Sequence, residues 1–203
     1  MPFGVFSLEN VVEGILIKNP RKLKIIIFGA TGTGKTTFGK SLSKRLNWKF
    51  LDSDDYYWEK TNPPFEIKIP LKIRNENLKV DFLKNENVIV VGSLCTWSKF
   101  WDTAFDLGIF LRIPKKVRMA RLLNREKDRY GAKLKTNLEM KNKSIEFLEW
   151  AEKYDDELNP GHSITQHLDW IKALNCPVVE LTGELTNEMR LKITLDRLKD
   201  SIQ

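Results

Sequence analysis

The sequence has few of the residues that mark disulfide-rich or zinc-binding proteins. Among 203 residues there are two cysteines, Cys95 and Cys176, and two histidines, His162 and His167. The cysteines form no C-x-x-C pair, so we expect both thiols to be free and reduced, as is typical of a cytoplasmic protein. The histidines lie five residues apart, which is the wrong spacing for one helix face, and we expect no zinc site there.

The sequence also lacks the features of a membrane or secreted protein. No apolar run approaches the roughly 20 residues that span a bilayer. The first residues, MPFGVFSLEN, have neither the basic region nor the following cleavage site of a secretory signal. We therefore expect a cytoplasmic protein with no membrane partner.

Positive charge is concentrated in one segment. The formal net charge is +7, and residues 115–143 carry eleven Lys or Arg against three acidic residues, so the rest of the chain sums to −1. Such a segment suits a polyphosphate ligand or a nucleic acid, and a solvated helix face rich in lysine explains part of it. Because aromatic residues are not interleaved with these charges, we do not expect nucleic acid to be the main partner.

Apolar strands and amphipathic helices alternate from residue 23 onwards. Continuous apolar runs such as LKIIIF at 23–28 are typical of strands buried on both faces. The predicted strands cover residues 23–28, 48–52, 87–92, 107–114 and 177–183. The predicted helices cover residues 35–46, 71–83, 117–128, 144–154, 163–174 and 187–198. This alternation indicates one α/β domain over 23–203, with a mostly parallel sheet covered by helices on both faces, and an N-terminal extension over 1–22.

The segment GATGTGKT, residues 29–36, matches the pattern G-x-x-x-x-G-K-[ST] in full. A buried strand precedes it, and a helix begins inside it. Its glycines let the backbone curl so that N–H groups point at phosphate oxygens, and the helix adds the positive end of its dipole. We expect Lys35 to neutralise the outer phosphates of ATP and the Thr36 hydroxyl to ligate Mg²⁺. The predicted nucleotide-binding residues are Gly29, Ala30, Thr31, Gly32, Thr33, Gly34, Lys35, Thr36 and Thr37.

The GATGTGKTT stretch resembles the phosphate loop of the P-loop small-molecule kinases, the adenylate kinase and shikimate kinase group. The order and spacing of the elements are similar over about residues 23–200. The chain is also similar to bacterial proteins labelled adenylate kinase-like or AAA family ATPase, through DDYYW at 54–58 and FLEWAEKYD at 147–155. This resemblance implies a three-layer P-loop NTPase fold with a five-stranded core sheet and a mobile helical lid.

Carboxylates follow the second predicted strand. If the strand continues through them, Asp52 and Asp54 point to the same face, where they can serve Mg²⁺ and an acceptor hydroxyl. The D-S-D motif at 52–54 is similar to that of shikimate kinases. This resemblance implies that Asp52 helps to bind Mg²⁺ through water and that Asp54 holds the attacking hydroxyl. The alternative is an acidic turn that caps the next helix, with Asp55 as the cap.

Aromatic residues follow these acids. Tyr56, Tyr57, Trp58 and the turn at 62–65 are predicted to line the pocket of a small-molecule acceptor. Core packing is the competing explanation for each of them.

The third predicted strand ends in Gly92 and Ser93. Motor-type ATPases place an Asp-Glu pair here, so its absence disfavours a dedicated hydrolase. Gly92 allows close approach of a ligand to the backbone, and the Ser93 hydroxyl can donate to it. The Asp-Gly-Phe-Pro-Arg run of adenylate kinases and the triple glycine of shikimate kinases are both missing, so the resemblance does not identify the acceptor.

Four arginines lie on the helix that follows the fourth strand. Arg121, Arg125 and Arg129 share a face because they are spaced by four residues, and Arg118 precedes them. In the related kinases an R-x-x-x-R helix leads into the lid and reaches the transferring phosphoryl group. The resemblance therefore implies Arg125 as the stabilising guanidinium, Arg121 as a base-stacking or second phosphate contact, and a lid around 125–142. An exposed basic helix is the alternative.

These features predict a kinase that moves the γ-phosphoryl group of Mg-ATP to a small acceptor that the sequence does not identify. A nucleotide-dependent switch or hydrolase is the second hypothesis, and a nucleic-acid end kinase is the third.

Overall fold

The computed structural model describes residues 22–156, 159 and 162–200, so the predicted extension lies outside the described residues except for Lys22. Within these ranges five parallel strands form one sheet in the order β2-β3-β1-β4-β5. The strands are β1 (Lys24–Gly29), β2 (Lys49–Asp52), β3 (Val88–Val91), β4 (Leu107–Arg112) and β5 (Val178–Thr182). Each of them overlaps a predicted strand, and the prediction of a parallel α/β sheet is confirmed.

Helices connect the strands. They are α1 (Lys35–Leu46), α2 (Asp54–Tyr57), α3 (Leu71–Leu83), α4 (Phe100–Thr103), α5 (Lys115–Tyr130), α6 (Lys133–Thr136), α7 (Leu138–Glu152), α8 (Ile164–Ala173) and α9 (Asn187–Asp200). A 3-10 turn at Lys153–Asp155 follows α7. The predicted bounds of α1 and α3 agree with the structure. In the described part of the chain, no helix combines the length and the apolar character needed to span a bilayer.

Alternate residues of the central strands face two separate cores. In β1, Ile26 and Phe28 pack with residues of α3, α4 and α8, including Leu78, Trp101 and Trp170. On the other face of β1, Ile25 and Ile27 pack with residues of α1 and α9, including Phe38, Leu42 and Leu191. The side chains of β1 from Ile25 to Phe28 are fully buried, which explains why this strand reads as one continuous apolar run.

The sheet brings three chain segments to one edge. β3 pairs with β1 on one side and with β2 on the other, so that Val91 stands opposite both Ile27 and Asp52. The phosphate loop follows β1, Asp52 is the last residue of β2, and Gly92 follows β3. The carboxyl ends of parallel strands are where ligands collect in such sheets, and the predicted site residues start from this edge.

Two local predictions were wrong. Asp54 does not extend β2, because the strand ends at Asp52 and Asp54 begins α2. Asp55 does not cap that helix, since Ser53 occupies the N-cap position and makes no side-chain capping bond.

The long helices on either side of the predicted lid also extend further than expected. α5 continues to Tyr130, and α7 begins at Leu138 rather than 144. The N-cap of α7 is Asn137, whose side chain accepts from the N–H of Met140 over 2.9 Å. This capping side chain starts α7 six residues before the predicted position.

Candidate active site

The phosphate loop, residues 29–36, joins the buried strand β1 to α1. Gly34 has a φ of 90°, a left-handed conformation that L side chains rarely adopt. At Gly29, with a φ of 139°, a side chain would collide with the carbonyl oxygen of Leu111 on the neighbouring strand β4. The hydroxyl of Thr33 donates to the carbonyl oxygen of Ala30 over 2.8 Å. The loop is therefore held in a tight curl by its own contacts and by the sheet.

Lys35 lies folded against this loop. Its Nζ donates to the carbonyl oxygens of Gly29 over 2.9 Å and of Ala30 over 2.8 Å. Burial lowers the pKa of Lys35 to about 8, although the charges of Asp54 and Asp52 oppose the shift. A lysine in this state gains strongly from a nearby anion, because phosphate oxygens can replace the hydration that the side chain has lost.

Thr36, Asp52 and Asp54 form a short chain of contacts at the edge of the sheet. The Thr36 hydroxyl donates to Oδ2 of Asp52 over 3.0 Å. The backbone N–H of Asp54 donates to Oδ1 of the same carboxylate over 3.1 Å. The predicted metal-binding pair, Thr36 and Asp52, is thus brought together, and Asp54 lies beside it even though it belongs to α2.

The two carboxylates are poorly solvated. Burial and then the negative charge of Asp54 raise the pKa of Asp52, although the hydrogen bonds from Asp54 and Thr36 act in the opposite direction. Desolvation also raises the pKa of Asp54, and Lys35 and Arg125 lower it in part. By surface area Asp54 is an exposed residue at the start of α2, so the desolvation that raises its pKa comes from neighbouring protein atoms and not from full burial. Carboxylates with raised pKa values next to a buried lysine are a common feature of functional sites.

Arg125 on α5 is directed to this end of the sheet. Its charge lowers the pKa values of both Lys35 and Asp54. Desolvation and the neighbouring Arg129 lower the pKa of Arg125 itself. Its guanidinium lies 5.4 Å from the ring centre of Phe147 on α7. The arginine that the resemblance selected therefore lies within electrostatic reach of the lysine and of the second carboxylate.

The other arginines of α5 have different surroundings. Arg118 is 1% exposed and structural: it donates to the carbonyl oxygen of Ala151 and to Asp155, over 2.6 Å each. Arg121 is exposed, and its charge acts on Arg190 of α9. Arg121 therefore lies within electrostatic reach of Arg190 on α9.

Ser93 takes part in a buried hydrogen-bonded chain. Its hydroxyl lies 2.8 Å from Nε2 of His167, and Nδ1 of this ring lies 2.7 Å from the hydroxyl of Tyr154. His167 is fully buried on α8, and burial holds its pKa well below the ordinary value, so the ring is neutral. The Sγ of Cys95 lies 3.2 Å from the same serine hydroxyl. The chain of contacts fixes the Ser93 side chain directly after β3.

Aromatic side chains cluster at the end of α2 and in the segment that follows it. The rings of Tyr57 and Trp58 are 4.8 Å apart, and Phe65 meets Trp58 edge-on at 5.8 Å. The guanidinium of Arg74 lies 3.9 Å from the ring centre of Tyr57 and 4.9 Å from that of Trp97. Cation–π contacts hold this arginine among the rings, at the place where the sequence predicted an acceptor pocket.

Other aromatic residues are used for packing. Tyr56 turns away from this group, packs against the core and donates to Asp81 of α3 over 2.8 Å. Tyr154 and Trp170 are buried, whereas Trp150 is 43% exposed and stacks on His162 at 5.4 Å.

Residues at the two ends of the predicted lid contact the loop at 65–66. Lys143 of α7 donates to both carboxylate oxygens of Glu66, over 3.0 and 2.7 Å. The guanidinium of Arg129 lies 4.7 Å from the ring centre of Phe65. The end of α5 and the start of α7, on either side of α6, therefore both contact the loop that carries Phe65 and Glu66.

The donors at the edge of the sheet fit a magnesium ion. Mg²⁺ prefers oxygen ligands and takes one or two carboxylates, with water and phosphate oxygens completing its octahedron. The Thr36 hydroxyl and the Asp52 carboxylate are such a pair. Across the described ranges no three His, Cys, Asp or Glu side chains are close enough to hold a metal by themselves. The Thr36 and Asp52 oxygens therefore suit a metal ion that binds as a complex with a nucleotide.

Three residues that the structure places among these groups were not predicted from the sequence. They are Arg74, His167 as a partner of Ser93, and Arg190, which donates to the carbonyl oxygen of Thr33 over 3.0 Å. Arg190 lies 157 positions from its partner, so no local motif identifies it. Arg74 could have been predicted to contact the aromatic rings, because it lies in the helix that follows the aromatic segment.

Comparisons with known proteins identify the family of this chain. A family model described as an AAA domain matches residues 25–149. The uncharacterized protein YqaC of Bacillus subtilis is 36% identical over 180 residues, which cover 89% of this chain and 99% of YqaC. A probable gluconokinase of Dictyostelium discoideum is 28% identical over 139 residues, covering 59% of this chain and 70% of that protein.

Solved structures share the fold at low sequence identity. A shikimate kinase from Acinetobacter baumannii in complex with shikimate has a TM-score of 0.53 and 17% identity, with 89% of this chain and 96% of that chain covered. A deoxyadenosine kinase from M. mycoides has a TM-score of 0.51 and 19% identity, with 88% and 100% covered.

Proposed function

This chain belongs to the AAA domain family and has a three-layer P-loop NTPase fold, and we propose that it is a kinase which transfers the γ-phosphoryl group of Mg-ATP to a hydroxyl group of a small molecule. The resemblance of the sequence to the P-loop small-molecule kinases is confirmed by its relatives. The identity of the acceptor is left to experiment.

The observation that carries this proposal is the grouping of Lys35, Asp54 and Arg125. Three separate elements supply them. The charges of Lys35 and Arg125 both act on the pKa of Asp54, and the charge of Asp54 acts on the pKa of each of them. Phosphoryl transfer needs this combination, because catalysis depends on positioning and on stabilising charge at the transferring group.

Asp54 is the proposed acceptor-binding carboxylate. It holds the acceptor hydroxyl and takes its proton, while the acceptor oxygen forms a bond to the γ-phosphorus and the bond to the oxygen of the ADP leaving group breaks. Its raised pKa favours a carboxylate that can accept this proton. Lys35 and Arg125 face the same region and stabilise the negative charge that spreads over the phosphoryl oxygens.

Thr36 and Asp52 are the residues proposed to hold Mg²⁺. The ion, when bound with the nucleotide, neutralises charge on the β- and γ-phosphates. The bond from Thr36 to Asp52 keeps both oxygens at the end of the phosphate loop.

The relatives support a hydroxyl-bearing acceptor. A probable gluconokinase is among the relatives in sequence, and a shikimate kinase shares the fold. The aromatic group with Arg74 and the fixed Ser93 hydroxyl offer stacking and hydrogen-bonding surfaces for such a molecule.

A coupled assay of ADP formation from Mg-ATP tests the proposal. The acceptor panel contains gluconate, other sugars, shikimate, nucleosides and nucleoside monophosphates, and the products are identified by mass spectrometry. We expect ADP formation to depend on one acceptor class, with a phosphorylated product. Equal ADP formation with and without every acceptor contradicts transfer and favours the hydrolase or switch hypothesis.

A further inference from the structure

Arg190 is a buried arginine whose hydrogen-bonding capacity is only partly used. It lies in the first turn of α9 and is 5% exposed. Its Nη1 donates to the carbonyl oxygen of Thr33 in the phosphate loop over 3.0 Å. Its Nε and Nη2 are buried and have no hydrogen-bond partner among the described residues.

Within the described ranges Arg190 forms no ion pair with an acidic side chain. Burial and then the positive charge of Arg121 lower its pKa. One turn further along α9, the hydroxyl of Thr194 is buried and also has no partner in the described part of the chain. A buried guanidinium with unused donors costs folding free energy. Such a cost calls for a functional explanation.

Arg190 touches the outside of the phosphate loop at its tip. A side chain added at Gly34 would meet Nη1 of Arg190 at 3.2 Å. On the opposite side, one added at Gly32 would meet Arg118 and Leu122 of α5 at 3.0 Å. The tip of the loop therefore contacts α5 at Gly32 and α9 at Gly34. Its inner surface carries the N–H groups that are predicted to bind phosphate.

We propose, resting on the proposed function, that Arg190 is a positioning residue for nucleotide binding. It holds the carbonyl of Thr33 outward, so that the neighbouring N–H groups of the loop point inward at the phosphates. Its positive charge attracts the phosphates across the backbone of the loop. The class of ligand is a nucleoside diphosphate or triphosphate, or a bare polyphosphate with the same charge.

This role predicts opposite effects on the free and on the bound protein. In the free protein the charge of Arg190 is poorly compensated, and replacement by an apolar side chain of similar length is neutral or stabilising. In the bound protein the phosphates compensate the charge, so the same replacement weakens binding. An arginine that only supports the fold would instead lower the stability of the free protein and leave the affinity unchanged.

The test compares Arg190→Met and Arg190→Lys with wild type. The control is Lys192→Met, because Lys192 is an exposed cation on the same helix. Isothermal titration with Mg-ADP and with Mg-tripolyphosphate gives the affinities, and thermal unfolding without ligand gives the stability. The Nε–H resonance of Arg190 is followed in ¹H–¹⁵N spectra during the Mg-ADP titration.

We expect Arg190→Met to weaken binding of both ligands by about tenfold or more, because a positive charge near the phosphates is lost, with no fall in the unfolding temperature. Arg190→Lys restores part of the affinity because it keeps the charge, and Lys192→Met binds like wild type. In the wild-type protein the Nε–H resonance of Arg190 shifts on binding.

Two results overturn the proposal separately. If wild type and Arg190→Met bind both ligands equally, the role of Arg190 is wrong while the proposed function stands. If wild type binds neither Mg-ADP nor Mg-tripolyphosphate, the proposed function fails and the role of Arg190 fails with it. A lower unfolding temperature of Arg190→Met with unchanged affinity identifies a structural role only.

Discussion

The hydroxyl of Thr36 donates to Oδ2 of Asp52 over 3.0 Å, although the two residues are 16 positions apart and belong to different elements. This bond ties the start of α1 to the end of β2. It joins the phosphate loop to the carboxylates, and therefore joins the nucleotide side of the candidate site to its acceptor side.

Lys35→Ala is expected to abolish nucleotide binding and turnover while the fold is kept. The Nζ of Lys35 donates to the loop carbonyls of Gly29 and Ala30. Its poorly hydrated charge is therefore expected to stabilise bound phosphates rather than the packing of the core. Equilibrium binding of Mg-ATP and far-UV circular dichroism measure the two effects. Lys44→Ala, an exposed lysine on the same helix, is the matched control. ATP turnover by Lys35→Ala at the wild-type rate contradicts the assignment of the phosphate loop.

Nucleotide binding is expected to take up protons near pH 8. Burial lowers the pKa of Lys35 to about 8, so roughly half of these side chains are neutral at that pH in the free protein. Phosphates favour the charged form and raise the pKa, so binding of Mg-ADP takes up about half a proton, and affinity falls as the pH rises further. Calorimetry in buffers of different ionisation enthalpy measures the uptake. The same uptake by Lys35→Arg, whose guanidinium stays charged throughout this pH range, places the protonated group elsewhere.

Asp54→Asn is expected to leave the affinity for ATP nearly unchanged and to remove phosphoryl transfer. Loss of a general base costs about 10²–10⁴ in rate. Asp55→Asn, at the exposed neighbouring position, is the control and keeps its activity. Transfer by Asp54→Asn at more than a tenth of the wild-type rate is the result that rejects this role.

The same substitution is expected to raise stability at neutral pH. The pKa of Asp54 is raised in the folded protein, so its contribution to stability is present at low pH and is lost as the pH rises through the raised pKa. An asparagine has no such loss. Urea unfolding of both proteins at several pH values measures this difference, which vanishes in acid.

Arg125→Met and Arg121→Met are expected to have different kinetic effects. Arg125 acts on Lys35 and Asp54, so its loss lowers kcat by about 10³ or more, as for other stabilising arginines. Arg121 lies toward Arg190, so its loss mainly raises KM for ATP. Steady-state kinetics with the acceptor from the panel separate the two, and Lys127→Met on the same helix is the control. Equal effects on kcat for both arginines contradict this division.

Glu66→Gln is expected to weaken closure of the predicted lid. Glu66 accepts two bonds from Lys143 across the cleft. An exposed ion pair is worth about 0.2–1 kcal/mol, so we expect a change of no more than about fivefold, seen as a higher ratio of ATP hydrolysis to transfer because water enters more readily. Glu139→Gln is the control, since Glu139 contacts the same lysine within α7 at 2.9 Å. If both variants raise the ratio equally, the bridge to Glu66 has no special role in closure.

Local patterns in the chain were enough to predict the sheet and the phosphate loop. Most of the five strands are short apolar runs flanked by loops, and the predicted bounds of α1 and α3 agree with the structure. The loop is predictable because its glycines, lysine and threonine must follow one another along the backbone that wraps the phosphates. The failures at Asp54 and at the start of α7 arose where a turn or a capping side chain, rather than periodicity, decides the boundary.

Tertiary structure alone decided which distant side chains surround that loop. The pairing of Arg190 with Thr33, the contact of Ser93 with His167, and the position of Arg74 among aromatic rings join segments that are far apart in the chain. Periodicity can tell that such a residue lies on a helix, but not which neighbour it faces. That choice depends on the order β2-β3-β1-β4-β5 and on how α8 and α9 pack over the sheet, because the contacts form only when all of these elements are in place.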